Sequence, residues 1–206
     1  MAGISLRVTL SGLCILICLA VGANASAIDS DKVGAVDFVT LLGNRTVSML
    51  SDTSLNRHER EAEFRRLLNE GFDLDTISRF ALGRYWRRAT NAERGEYRKL
   101  FEELIVSTYA ARLGRYGGET FSVLEAFSEP NGGALVRTHI LDSDFPPVRV
   151  DWRIRAVGES YRIVDVVLEG VSMALTQRDE FSSVIQKHGG SIEGLLNELR
   201  NKTDSN

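Results

Sequence analysis

The spacing of apolar residues along the chain changes period twice, dividing it into helices, a run of strands, and helices again. From Ile28 to about Ser51, Val36, Val39, Leu42 and Leu50 return near helical spacing with polar residues between them, which predicts an amphipathic helix. Asn56 and Glu59 have the spacing of a capping box, and the helix they open carries Phe64, Leu67 and Leu68 on one face until Gly71 ends it. Asp73 or Asp75 can cap a short helix over Ile77, Phe80, Ala81 and Leu82, with Gly83 as its stop. A second box, Thr90 with Glu93, opens the longest helix. There Tyr97, Leu100, Phe101, Leu104, Ile105, Thr108, Tyr109, Leu113 and Tyr116 recur at three- and four-residue intervals up to Gly117-Gly118.

After Gly118 the period becomes 2. Thr120 to Ser128, Ala134 to Leu141, Val148 to Val157 and Tyr161 to Leu168 read as four strands, separated by turn-forming Gly, Pro, Asn and Ser. The third alternates cleanly, with Val148, Val150, Trp152, Ile154 and Ala156 on one side and Arg149, Asp151, Arg153 and Arg155 on the other. One face of the sheet is therefore expected dry and the other wet. The fourth is apolar on both sides except for Asp165, and Glu169-Gly170 is the expected bend into a helix that carries Leu175, Phe181, Val184 and Ile185. Gly189-Gly190 stops that helix, and Ser191 can cap a last one with Ile192, Leu195, Leu196 and Leu199. Helices, a strand meander and helices in that order predict an α+β fold, with helices packed against one face of a four-stranded antiparallel sheet.

Composition changes the picture at one place. Arg7 is followed by an uncharged run, Val8 to Val21, and then by Ala23-Asn24-Ala25-Ser26-Ala27, which reads as a secretory signal peptide over residues 1–25 with cleavage after Ala25 or Ala27. The apolar run is shorter than the roughly 20 residues a membrane-spanning helix needs. The remainder, residues 28–202, fits a single domain. Both cysteines, Cys14 and Cys18, fall in the leader, so the processed chain would have no thiol; export without disulfides points to a bacterial periplasm. The net charge of −3 argues against a nucleic-acid partner.

Candidate chemistry is sparse. A zinc site needs three or four ligands, and a nucleophile needs a base within hydrogen-bond reach. His58 begins HEREA, in which Ala62 stands where a zincin helix requires histidine; His139 alternates to the polar side of its strand; His188 sits beside a glycine stop. No metal site or cofactor is expected. Asp165 in its apolar strand, with Glu169 nearby, leaves two readings open: a general base on an apolar small molecule, or a buried structural acceptor paired with backbone donors or with Arg79, Arg84 or Arg178.

The segments Phe72-Asp73, Arg79-Phe80-Ala81-Leu82-Gly83-Arg84-Tyr85-Trp86, Tyr97 to Tyr116, and Val164-Asp165-Val166-Val167-Leu168-Glu169-Gly170-Val171-Ser172, with Arg178 and Phe181, resemble the periplasmic phospholipid-binding component of the Mla lipid-trafficking system. This family is also called toluene-tolerance or ABC-transporter auxiliary proteins, and the likeness runs from about residue 33 to 200. It implies a nuclear-transport-factor-2-like cone in which helices fold over a curved sheet around an apolar cavity, and a carrier rather than an enzyme. Its implied partners are an inner-membrane ABC lipid-transport complex and an outer-membrane lipoprotein complex. Met173 to Leu196 also resembles the branch associated with hopanoids, so a hopanoid-type lipid is the alternative cargo.

If such a cavity forms, its expected lining is Phe80, Leu82, Tyr85 and Trp86 from the aromatic segment, and Phe101, Leu104, Ile105 and Tyr109 from the long helix. The strands would add Val136, Val150, Trp152, Val166 and Leu168, and the last turn and helix Val171, Met173, Phe181 and Ile185. For each of these an ordinary place in the core is the competing reading, because tail contacts and core contacts use the same side chains. Arg79, Arg84 and Arg87 are candidates for contact with a headgroup or an acidic partner.

Overall fold

The computed structural model describes residues 22–113, 116–130, 132–143, 145–158 and 160–204, with side chains of the first helix described from Lys32 onward. Most of the expected leader, including Cys14 and Cys18, lies outside the described residues. Among those described, no helix is long and apolar enough to cross a membrane.

Local capping chemistry sets the helix boundaries. Helix α1, Gly22–Ser51, begins before the expected Ile28. Helix α2, Arg57–Gly71, has both arms of its box: the Glu59 N–H donates to Asn56 Oδ1 at 3.0 Å, and the Asn56 N–H donates to the Glu59 carboxylate at 2.9 Å. Asp73, not Asp75, caps α3, Leu74–Leu82, by accepting from the Thr76 N–H at 2.9 Å. Gly83 ends α3 at φ 58°, where a side chain would cost energy, and passes the chain into a 3-10 turn over Gly83–Arg87. Thr90 and Glu93 then close the second box at 2.7 and 3.2 Å and open α4, Asn91–Leu113.

The strands β1 (Thr120–Ser128), β2 (Ala134–Leu141), β3 (Val148–Val157) and β4 (Ser160–Leu168) pair antiparallel in sequence order, as the period predicts. A fifth strand, β5 (Val171–Ser172), corrects the four-stranded expectation. Glu169 and Gly170 both have positive φ, 48° and 87°, as a two-residue hairpin loop requires, and Leu168 pairs directly with Val171. Gly170 therefore turns strand into strand, and α5, Met173–Lys187, starts only after Ser172 caps it; α6, Ile192–Asp204, follows.

Two cores result. Helix α1 lies across the apolar face of the sheet, burying Ala35 and Val39 against Ala134, Val136, Ile154 and Ile163. A Cβ on Gly34 would overlap the Tyr161 ring and one on Gly43 the Phe121 ring, so α1 runs in close approach from the start of β4 to the start of β1. The opposite face carries a ladder of charge, with Arg137 bonded to Asp151 at 2.9 Å and to Glu125 at 2.6 Å. Helices α3 to α6 form the second core around Leu82, Tyr97, Phe101, Phe181, Ile185 and Leu196. The helices do not all stack on the sheet: α2, α3 and α5 meet it at β4. There the Asp73 N–H donates to the Ile163 carbonyl at 2.9 Å, and the Phe72 side chain packs against both cores.

The Tyr97 hydroxyl lies fully inside the helical core and donates to the Ser78 carbonyl at 2.9 Å. Burial, which penalises the phenolate, holds its pKa well above the ordinary value. Below about pH 10 both folded and unfolded Tyr97 are protonated, and its contribution is complete; above that pH the unfolded chain releases the proton first, so stability falls as pH rises, by up to ~1.4 kcal/mol per pH unit. Tyr97→Phe is expected to start about 1–2 kcal/mol less stable at pH 8 and to lose less between pH 8 and 11. Urea midpoints measured across that range check this, and parallel profiles for the two proteins would refute it.

Candidate functional site

The expected lining residues fall into two groups. Leu82, Tyr85, Phe101, Phe181 and Ile185 are enclosed in the helical core, with Trp86, Leu104 and Ile105 half-buried against it. Val136 and Val150 are buried on the sheet, and Trp152 and Val166 half-buried beside the α1 core. Four others reach solvent: Phe80 is 42% exposed, Tyr109 39%, Leu168 40% and Val171 54%. Met173 is half-buried at the start of α5.

Strand register brings one subset together. Val150 pairs with Leu168 and Trp152 with Val166, which places all four side chains on the apolar face. The same row continues through Thr138 opposite Val150 and Ile140 opposite Val148. Toward the end of the sheet where β2 finishes and β3 begins, Ile140, Val148 and Leu168 stay exposed on this face. Leu141, Phe145 and Val171 add exposed apolar surface at that end of the sheet.

Thr138 belongs to this row although apolar counting overlooks it. It is buried, its hydroxyl donates to the Val150 carbonyl at 3.1 Å, and it accepts from the Trp152 Nε1–H at 3.0 Å. The polar handle of the indole is thus satisfied within the sheet, leaving ring surface for apolar contact. The signal that finds Thr138 is its alternation in phase with Val136.

The carboxylates have structural partners. Asp165 is buried and accepts from the Ser172 hydroxyl at 2.7 Å, the Ala174 N–H at 3.0 Å and Arg153 Nη1 at 3.4 Å. It ties β4 to the first turn of α5, where Ser172 also accepts from the Leu175 N–H at 3.1 Å. Its arginine is Arg153, across the strand pair, and not Arg79, Arg84 or Arg178. Glu169 accepts from the Arg149 N–H and braces the β4–β5 hairpin. Among the described residues no group of three or more His, Cys, Asp or Glu side chains could hold a metal ion. His188 caps the end of α5, 3.6 Å from Glu198.

Arg79, Arg84 and Arg87 are exposed on α3 and the 3-10 turn. Arg84 Nη2 donates to the Tyr85 hydroxyl at 3.0 Å, and this bond, aided by the charges of Arg84 and Arg88, lowers the Tyr85 pKa. The Arg84 and Arg88 guanidiniums lie 5.0 and 5.5 Å from the centre of the Tyr85 ring, and Arg178 lies 5.2 Å from that of Phe80. Two clefts open near these helices. One, of about 400 Å³, has Phe72, Asp73, Asp75, Arg98, Glu102 and Arg162 in its walls; the other, of about 230 Å³, lies between the 3-10 turn and α5. The walls of the larger are mixed, those of the smaller mostly polar, and neither includes the apolar patch of β3 and β4.

Comparison with known proteins places this arrangement. The toluene tolerance protein ttg2D of Pseudomonas putida is 20% identical over 159 residues, spanning 73% of this chain and 74% of the relative. A solved structure from Ralstonia solanacearum, described as a phospholipid-binding protein in complex with a phospholipid, superposes with a TM-score of 0.71 at 21% identity, covering 82% of this chain and 96% of that one. A family model described as MlaC protein matches residues 42–201, most of the chain, and the protein belongs to the MlaC family.

Proposed function

We propose that the protein is a carrier that binds phospholipid by its acyl chains and moves it through water without covalent chemistry. The observation that carries this reading is the apolar patch of Val150, Trp152, Val166 and Leu168, open at one end of the sheet, in a fold shared with a protein solved with phospholipid bound. A phospholipid with about 30 methylenes would need on the order of 20–25 kcal/mol to enter water at ~0.8 kcal/mol each, so a carrier must replace the bilayer interior almost completely. The patch supplies one wall, and Leu104, Ile105 and Tyr109 of α4 are the side chains we assign to the facing wall. The headgroup stays at the wet end beside Val171. Asp165, engaged by three donors, is an anchor in this scheme rather than a base.

In the same proposal residues 1–25 are an export leader, the working chain is the single domain 28–202, and the protein acts in the periplasm between an inner-membrane ABC complex and an outer-membrane lipoprotein complex. The test is native mass spectrometry and lipid extraction of the purified protein, followed by reloading from vesicles of phosphatidylethanolamine and phosphatidylglycerol. Bound diacyl phospholipid, and uptake by the delipidated protein, are expected. A protein that is never loaded, or one that carries only polycyclic lipid, would overturn the assignment.

A further inference from the structure

The smaller cleft, of about 230 Å³, has a construction that lipid carriage does not use. Its walls include Gly83, Arg84, Tyr85, Arg178, Asp179 and Ser182. Several arginines of the fold are matched with carboxylates, as in Arg65 with Glu103 at 3.0 Å and Arg137 with Asp151 at 2.9 Å. Among the described residues neither Arg84 nor Arg178 pairs with a carboxylate, Asp179 included. Each is held by an aromatic group instead, Arg84 by the Tyr85 hydroxyl and ring and Arg178 by the Phe80 ring. Gly83 lets Arg178 approach the backbone, since a Cβ there would lie 3.0 Å from Arg178 Nε. Two guanidiniums already ordered lose little freedom when they grip an anion, and their planar forks match a carboxylate.

We propose that this cleft is a docking point for an acidic partner protein, which inserts an aspartate or glutamate carboxylate between Arg84 and Arg178. Exposed Arg79, Arg87 and Arg88 beside it make a basic surface on a chain of net charge −3, and such a surface steers and orients an acidic partner. The cleft is smaller than the ~300 Å³ at which ligand pockets begin, which suits one side chain. Asp179 in its wall opposes a doubly charged phosphate more than a single carboxylate. Its residues come from α3, the 3-10 turn and α5, none of them from the β3–β4 patch, so the inference stands independently of the cargo.

The experiment titrates the purified protein with acetylated hexaglutamate and, separately, with glycerophosphoethanolamine, following the Arg Nε–Hε resonances by NMR. Hexaglutamate is expected to shift Arg84 and Arg178, with affinity that falls as salt rises. Arg84→Gln and Arg178→Gln should each weaken it by about tenfold or more, the scale of one lost charged hydrogen bond. Asp179→Asn should tighten it several-fold, and Arg137→Gln on the sheet should leave it unchanged. If Arg84→Gln fails to fold for want of its Tyr85 bond, Arg178→Gln compared with Arg178→Lys carries the test, the lysine variant falling between wild type and glutamine. Equal or tighter binding of the headgroup analogue, hexaglutamate affinity unchanged by these substitutions, or no shift of either arginine would overturn the proposal.

Discussion

Asp165→Ala is expected to lower the stability of the protein by about 2–4 kcal/mol, with the first turn of α5 the first part to loosen. The carboxylate is buried and is the acceptor for the Ala174 N–H and the Ser172 hydroxyl. Removing it leaves the buried Ala174 donor unsatisfied, which alone costs about 1–3 kcal/mol, and takes away part of the cap that holds α5 against β4. Arg153, being partly exposed, regains water and adds little. Asp165→Asn keeps one carbonyl acceptor and is expected to lose about half as much, because an amide can satisfy Ala174 but is a weaker partner than an ion. Urea unfolding midpoints of the two variants, read beside amide exchange at Ala174 and Leu175, check both statements. Should Asp165→Asn retain full stability and yet abolish turnover of some apolar substrate, the group would be a base after all.

What the sequence could disclose of this fold was local. The Asn56–Glu59 and Thr90–Glu93 boxes are three-residue spacings with their own hydrogen bonds, so they could be read without knowing what lay around them. The alternation of β3 was equally legible, since Asp151 and its flanking arginines could only share the face opposite Val150, Trp152 and Ile154. Strand β5 was not, because two residues have no period, and the hairpin before it places Glu169 at positive φ where a glycine or asparagine would have announced the turn. The partner of Asp165 was hidden for a different reason. Its position opposite Arg153 depends on a register shift between Arg153 and Ile154, and an irregularity of one residue in a ladder leaves no mark in composition.

The candidate site shows the same division. Val150, Trp152, Val166 and Leu168 could be assigned to an interior from their apolar character, but whether that interior is covered by protein is decided by the path of α1. That path in turn depends on the close approach of Gly34 and Gly43 to two aromatic rings. In sequence Phe181 and Leu168 are therefore equivalent lining candidates, and only packing separates them. Thr138 escapes a count of apolar residues because a hydroxyl counts as polar, although its two hydrogen bonds make it part of the apolar face.

That distinction yields the largest expected contrast. Phe181 is 1% exposed, with its ring edge-on to Tyr97 at 5.9 Å and to Phe101 at 6.2 Å, so Phe181→Ala should leave a cavity and cost about 3–5 kcal/mol. Leu168 is 40% exposed, and Leu168→Glu should fold with a stability within about 1 kcal/mol of wild type, since the new charge can reach water in the lipid-free protein. The same glutamate laid against an acyl chain must be desolvated or must exclude the chain, which costs several kcal/mol and should reduce retained phospholipid by tens-fold or more. Urea unfolding and extracted lipid per mole of protein, measured on both variants, give a two-by-two comparison in which stability and loading part company. Phe181→Ala would lower the midpoint while whatever remains folded still carries lipid, and Leu168→Glu would do the reverse. The opposite pattern would mean that tails penetrate the aromatic cluster of α4 and α5, and the carrier surface would then have to be moved from the sheet to the helical core.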